Sequence, residues 1–259
     1  KTIQQEGLII IKKVFSIKEC DLIKNELDKT LNIRLNKGHY CGNNNNQVLD
    51  NYFMDNRSLL KLIYQEVTDK LMRILIDEDY VLISPSARNR RILNNENFGD
   101  ITSGHGWHTD ARYVGGKGVK PSLSYMAIAC IDSFTKNNGC THYVTKSHLL
   151  NHKPKNREEK ITHEYLVANR GDLVILDTAL WHKVGDASEI SRWGVFNTYG
   201  PWFMKPYHRF TEMFNEKEIR NFEPIIRQLL HYDSNPPKDH NESMITLRRI
   251  RKLLENNEN

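Results

Sequence analysis

His108 and Asp110 are separated by one residue, and ten positions separate His182 from Arg192 further along the chain. In an extended segment, side chains two positions apart point to the same side. His108 and Asp110 can therefore reach one metal ion while Thr109 points away. His182 would bring a second imidazole from elsewhere in the fold. Two imidazoles and one carboxylate, with other coordination positions open, suit a non-haem iron(II) that binds an organic chelator and dioxygen. Zinc accepts the same ligands, so residue types alone do not name the metal. With eleven histidines a chance His-x-Asp match is easy, and Arg192 is what shifts the balance. An arginine beside an open iron site can take a carboxylate bidentately, a geometry lysine cannot match; its plainer use is a surface salt bridge. Gly185-Asp186-Ala187-Ser188 reads as a turn, and a hairpin centred on Ala187 would set residues 182 and 192 opposite each other. The combination favours an oxygen-activating enzyme with an acidic cosubstrate.

The elements that must position these residues have a clear texture. Ser16, with Glu19 three residues later, is a capping box opening an amphipathic helix along Cys20, Leu22, Ile23, Leu27 and Leu31. The stretch 38–47, with its run of asparagines, reads as a surface loop. A second helix is expected over 56–77, with Leu59, Leu60, Ile63, Val67, Leu71 and Ile74 on one face. From Tyr80 the chain turns to short apolar or alternating segments at 80–83, 87–93, 123–131, 142–144, 173–176 and 193–199, punctuated by Gly, Asn, Pro and Asp, as in a sandwich or barrel. The segment 171–176 reads as the strand leading to His182. After Pro206 helical texture returns and closes with a helix over 243–254. The expected architecture is α+β with a mainly β core over about 80–203, flanked by helices over 16–78 and 210–257, in a single domain spanning 1–259.

Composition bounds the function. The 259 residues are 39% hydrophobic and 27% charged, as in an ordinary globular protein with a sizeable core. The net charge of +5, from 37 basic and 32 acidic residues, is scattered. It fits acidic small molecules better than nucleic acid. The one dense basic cluster, 248–252, reads as the solvated face of a terminal helix. Cys20, Cys41, Cys130 and Cys140 show neither a C-x-x-C spacing nor a disulfide framework, so reduced thiols are expected. Apolar runs such as 7–11 are far shorter than a membrane span, and no signal-peptide pattern is visible. A cytoplasmic protein without nucleic-acid or membrane partners is expected.

Three blocks in order carry a family resemblance: Gly106-Trp-His-Thr-Asp110; Asn138-Gly-Cys-Thr-His-Tyr-Val-Thr-Lys-Ser-His148; and Gly171-Asp-Leu-Val-Ile-Leu-Asp-Thr-Ala-Leu-Trp-His182. With a weaker match at 15–21, the chain resembles the phytanoyl-CoA dioxygenase family of iron(II)- and 2-oxoglutarate-dependent oxygenases. The resemblance implies a double-stranded β-helix core (a jelly roll, cupin-like). It implies His108, Asp110 and His182 as iron ligands, Arg192 on the distal carboxylate of 2-oxoglutarate, and Thr141 lining the cosubstrate pocket. Two departures stand out. The family's Pro-Gly-Ser-His turn reads Thr145-Lys146-Ser147-His148, without either turn former. A small hydroxyl residue often found two positions after the distal histidine is Val184, with Ser191 the nearest candidate to replace it. His105 and His148 are expected to be polar residues outside the coordination set.

The implied activity is hydroxylation of a C–H bond of a small molecule, able to carry an anionic group, with release of succinate and carbon dioxide. With Asp110 present no coordination position is left for a halide, which favours hydroxylation over halogenation. The Gly- and cation-rich stretch 112–121 reads as a substrate-facing lid or a solvated loop, offering Arg112 and Tyr113 as substrate contacts. Arg90 or Arg91 could add to the same preference, although strand alternation lets only one face inward; Arg91 is the candidate. The competing reading is a non-oxidative jelly-roll metal protein, either a cupin-like isomerase or a small-ligand sensor, which would need the metal ligands but not Arg192.

Overall fold

The Ser16 side chain accepts the Glu19 amide at 3.2 Å while the Glu19 carboxylate accepts the Ser16 amide at 2.8 Å. This reciprocal cap opens α2 (Ile17–Asn36), which buries Cys20, Ile23, Leu27, Leu31 and Leu35. A single turn, α1 (Ile3–Glu6), and strand β1 (Leu8–Ile11) precede it. The computed structural model describes residues 2–94, 98, 106–111, 122–150, 152–233 and 239–241.

The stretch expected as a loop at 38–47 is instead largely a hairpin. Strands β2 (Gly42–Asn43) and β3 (Asn46–Asp50) pair antiparallel, Asn43 facing Asn46 across a two-residue turn at Asn44 and Asn45. The helix expected over 56–77 is also corrected. A 3-10 helix (Arg57–Ile63) and α3 (Glu66–Leu75) are separated by extended backbone at Tyr64 and Gln65. The carbonyls of Leu62 and Ile63 accept side-chain hydrogen bonds at 2.8 Å from Asn197 and Tyr199, so tertiary donors replace the intrahelical ones. Ile74, expected on the apolar face, is 79% exposed.

The remaining strands are β4 (Val81–Asn89), β5 (Tyr125–Cys130), β6 (His142–Tyr143), β7 (Glu164–Tyr165), β8 (Leu173–Asp177), β9 (His182–Lys183) and β10 (Trp193–Gly200). One sheet of seven runs β1-β8-β5-β10-β4-β3-β2 and a smaller one runs β7-β6-β9, every pair antiparallel. The segments 80–83 and 87–93 are thus a single strand, β4, which runs through Pro85. The sheet also extends beyond 80–203, taking in β1, β2 and β3. The result is a mixed α+β protein with a jelly-roll core. On its outer side α2, the 3-10 helix and α3 cover the large sheet through Leu27, Leu59, Ile63 and Met72. Short helices α4 (Glu216–Asn221) and α5 (Pro224–Leu229) follow the last strand. The helix expected over 243–254 lies outside the described residues. All four cysteines are buried and free. Among the described residues no helix is long and apolar enough to cross a membrane.

Candidate active site

His108 and His182 meet as an isolated antiparallel bridge, each amide donating to the other's carbonyl at 3.0 Å. Such a pair sends both side chains to one face, and the two rings lie 4.3 Å apart. The bridge is held on both sides. Trp107 donates to the Arg157 carbonyl and Ala111 to the Thr178 carbonyl, at 2.8 and 2.9 Å. A Cβ on Gly106 would stand 2.7 Å from the Arg157 carbonyl oxygen, which explains the glycine that opens this motif.

Asp110 completes the cluster, with one carboxylate oxygen 3.3 Å from His182 Nε2 and the other 3.7 Å from His108 Nε2. The ligand atoms of the three residues lie within 4.8 Å of one another. Each imidazole holds a backbone carbonyl through Nδ1 at 2.9 Å, His108 that of Gly106 and His182 that of Leu180. A carbonyl only accepts, so Nδ1 carries the proton in both rings and the Nε2 atoms turn toward Asp110. Burial opposes charge on Asp110, but the charge and hydrogen bond of His182 outweigh it and hold the carboxyl well below its usual range. Burial, reinforced by His182, pushes His108 down. Burial also acts against a charged His182, yet Asp110 overrides it and raises that imidazole. A cation entering here would take the place of the proton shared by His182 and Asp110.

The cluster opens into a cavity of about 370 Å³ between the two sheets, within the range of small-molecule sites. Arg192, only 2% exposed, lines it together with buried Thr141. Its Nε and Nη1 are buried with no hydrogen-bond partner among the described residues, and its guanidinium packs over the Phe134 ring at 4.5 Å. Burial and the neighbouring Arg90 push its pKa down to about 10, which still leaves it charged at neutral pH. A buried, charged and unpartnered guanidinium calls for an anion. The donor set of the cluster therefore fits a divalent iron, and Arg192 fits the far carboxylate of a dicarboxylic acid such as 2-oxoglutarate.

His108, Asp110, His182, Arg192 and Thr141 thus converge, but not by the expected hairpin. His182 pairs with Tyr143 in the small sheet, whereas Arg192 precedes β10 of the large one. The segment between them crosses from one sheet to the other. Ser191 does not reach the cavity. Adjacent extended residues face opposite ways, so its hydroxyl donates to Asp132 at 2.7 Å and accepts from Lys24 at 2.9 Å. Val184 lines the cavity without a hydroxyl to offer. Arg91 is corrected as well, being exposed and bonded to the Glu189 carbonyl. Arg90 is the inward one, but it is held by the carbonyls of Gly185 and Asn45. Arg112, Tyr113, the stretch 112–121 and His105 lie outside the described residues. His148 bonds the Gln4 carbonyl, away from the cluster.

The turn that lacks its proline and glycine keeps its geometry. Lys146 takes the left-handed φ of 66° that glycine would favour, and Ser147 accepts the Trp181 amide at 2.8 Å, fixing the residue before His182. In the Asn-Gly block, Asn138 accepts the Thr135 amide and donates to the Ser133 carbonyl, both at 2.8 Å. Gly139 then turns at φ 74°, where a Cβ would stand 2.5 Å from the Asp186 carbonyl. Arg88 and Asp50, which the sequence reading passed over, also line the cavity; the signal available was the alternation of Ser84, Ser86 and Arg88 on one face of β4.

A metal-binding cluster and an unpaired arginine inside a jelly roll define a metal- and cosubstrate-dependent enzyme. The phytanoyl-CoA dioxygenase (PhyH) family model matches residues 3–193. The chain belongs to that family and is a 2-oxoglutarate-dependent non-haem iron oxygenase, which sets aside the non-oxidative cupin-like reading. No curated protein sequence matches it. Among solved structures it is similar to HygX from Streptomyces hygroscopicus with nickel and 2-oxoglutarate bound: 14% identity, TM-score 0.62, covering 80% of this chain and 87% of that one. It is also similar to the non-heme monooxygenase ThoJ, at 16% identity and TM-score 0.62 over 80% of this chain and 78% of that one. The α-ketoglutarate-dependent epimerase SnoN from nogalamycin biosynthesis gives 14% identity and TM-score 0.58 over 77% and 78%.

Proposed function

We propose that the protein hydroxylates a C–H bond of a small molecule, with His108, Asp110 and His182 holding iron(II), Arg192 gripping the distal carboxylate of 2-oxoglutarate and Thr141 beside it. When bound, iron and 2-oxoglutarate supply the oxidising power, consuming dioxygen and leaving succinate and carbon dioxide as the substrate gains a hydroxyl. The protein's own residues bind and orient. The Gly106 and Leu180 carbonyls fix both imidazoles with Nε2 free for metal. Arg192 fixes one end of the cosubstrate in a water-poor setting where a charged pair is strong. Asp110 occupies the coordination position a halide would need, which favours hydroxylation over halogenation. The observation that carries this reading is the pair of buried, unpartnered Arg192 nitrogens in the cavity that holds the cluster. A HygX structure with nickel, 2-oxoglutarate and hygromycin B bound, 17% identical at TM-score 0.57, supports a small-molecule substrate.

Anaerobic addition of iron(II) and 2-oxoglutarate tests the assignment. A visible charge-transfer band, followed by succinate on admission of air, is the expected result. Neither band nor succinate would refute it.

A further inference from the structure

Beyond the cluster and Arg192, the cavity wall formed by β3 and β4 carries one charge of each sign. Arg88 faces Val48 across the β3–β4 ladder and Asp50 faces Ser86, so the two are diagonal neighbours on one face, about 7–8 Å apart at their bases. Both are exposed and both line the cavity that holds the metal cluster. Neither forms an ion pair among the described residues. There Arg88 makes one hydrogen bond, to Ser86 Oγ at 3.3 Å, and packs over the Phe196 ring at 5.8 Å, while its charge also acts on Asp110. The Asp50 carboxylate has no hydrogen-bond or ion-pair partner among the described residues, while its backbone carbonyl is anchored by Arg34. Arg192 and Arg90 lie further along this face and are already committed, one to the proposed cosubstrate and the other to backbone carbonyls. The wall also presents the hydroxyls of Ser84 and Thr198, which face each other across β4 and β10.

We infer that the substrate is a small zwitterion, its carboxylate held by Arg88 and its ammonium by Asp50. The inference rests on the oxygenase reading above and names the substrate class of the same site. A guanidinium takes a carboxylate bidentately and a carboxylate takes an ammonium by charge-assisted hydrogen bonds. In an open cavity each contact is weak, and both strengthen once the bound molecule displaces water. Two opposite charges on one wall also fix the direction in which the molecule lies, and hence which carbon is presented to the metal cluster.

The test uses enzyme loaded with iron(II) and 2-oxoglutarate and three matched probe sets: free α- and ω-amino acids, their N-acetyl derivatives and their primary amides. Binding is read anaerobically from perturbation of the visible band, and turnover from succinate formed above the probe-free rate. Some free amino acids are expected to bind and stimulate turnover, and blocking either end to weaken binding by about tenfold or more. Asp50→Asn should erase the preference for the free amine over the N-acetyl form, and Arg88→Gln the preference for the acid over the amide. Both side chains are exposed, so the variants should fold. The inference is overturned if no free amino acid binds, if blocked probes bind equally well, or if the Arg88→Gln defect falls on 2-oxoglutarate affinity instead of on the probes. Absence of the band itself would strike the oxygenase assignment, a separate failure.

Discussion

The guanidinium of Arg192 lies over the Phe134 ring at 4.5 Å, so a buried cation rests against a π face where an anion would satisfy it better. A site built this way is costly when empty. Arg192→Met should therefore have opposite effects on two measurements. The melting temperature without cosubstrate should rise, because an unpaired buried charge is removed. The 2-oxoglutarate dissociation constant, read by calorimetry, should rise about thirtyfold or more, the loss expected when one partner of a buried charge pair is truncated. An unchanged affinity would show that Arg192 does not hold the cosubstrate.

Asp110→Ala removes the sole carboxylate from the cluster and leaves two neutral imidazoles. Bound iron after dialysis and succinate production should both fall by about a hundredfold, at least the range seen when groups supporting metal ligands are lost. Circular dichroism should stay native, since the backbone bridge of His108 and His182 does not use the Asp110 side chain. Full iron content in the variant would remove Asp110 from the coordination set.

Lys146 holds a left-handed conformation that a side chain disfavours. Lys146→Gly should raise stability by about 0.5–1 kcal/mol in urea unfolding, relief of that strain outweighing the added freedom of the unfolded chain. A loss of stability would mean that the lysine side chain contributes something its φ does not reveal.

Gly139→Ala should do the reverse. The added methyl would meet the Asp186 carbonyl and the Arg90 side chain in a backbone conformation already unsuited to alanine. A loss of about 2 kcal/mol or more is expected. Because Arg90 neighbours Arg192, weaker 2-oxoglutarate binding should accompany it, measured by the same calorimetry.

The legible parts of the sequence were those governed by short-range periodicity. His108 and Asp110 share a side because they are two apart, and Ser16 with Glu19 marks a real helix start. The joint use of His182 and Arg192 was legible as chemistry but not as geometry, because a turn signal cannot tell a hairpin from a crossing between sheets. The helix expected over 56–77 breaks where Asn197 and Tyr199, far away in sequence, take the carbonyls of Leu62 and Ile63; no local pattern encodes that. Ser191 was misplaced by one residue of strand alternation. Arg88 and Asp50 went unnoticed because charges alternating along a strand look like a solvated face until the opposite sheet is in place.

Strand β1, four consecutive apolar residues, finds its partner only in β8, with Leu8 opposite Leu176. At translation rates of about 5–20 residues per second, β1 leaves the ribosome on the order of ten seconds before that partner exists. During that interval it is a sticky, unpaired segment of the kind holding chaperones capture. β8, held on its other edge by β5, leads directly toward His182, so the strand that completes β1 also carries the chain to the second imidazole. A nascent chain stalled before β8 would be both aggregation-prone and unable to hold metal, because His182 lies beyond that strand.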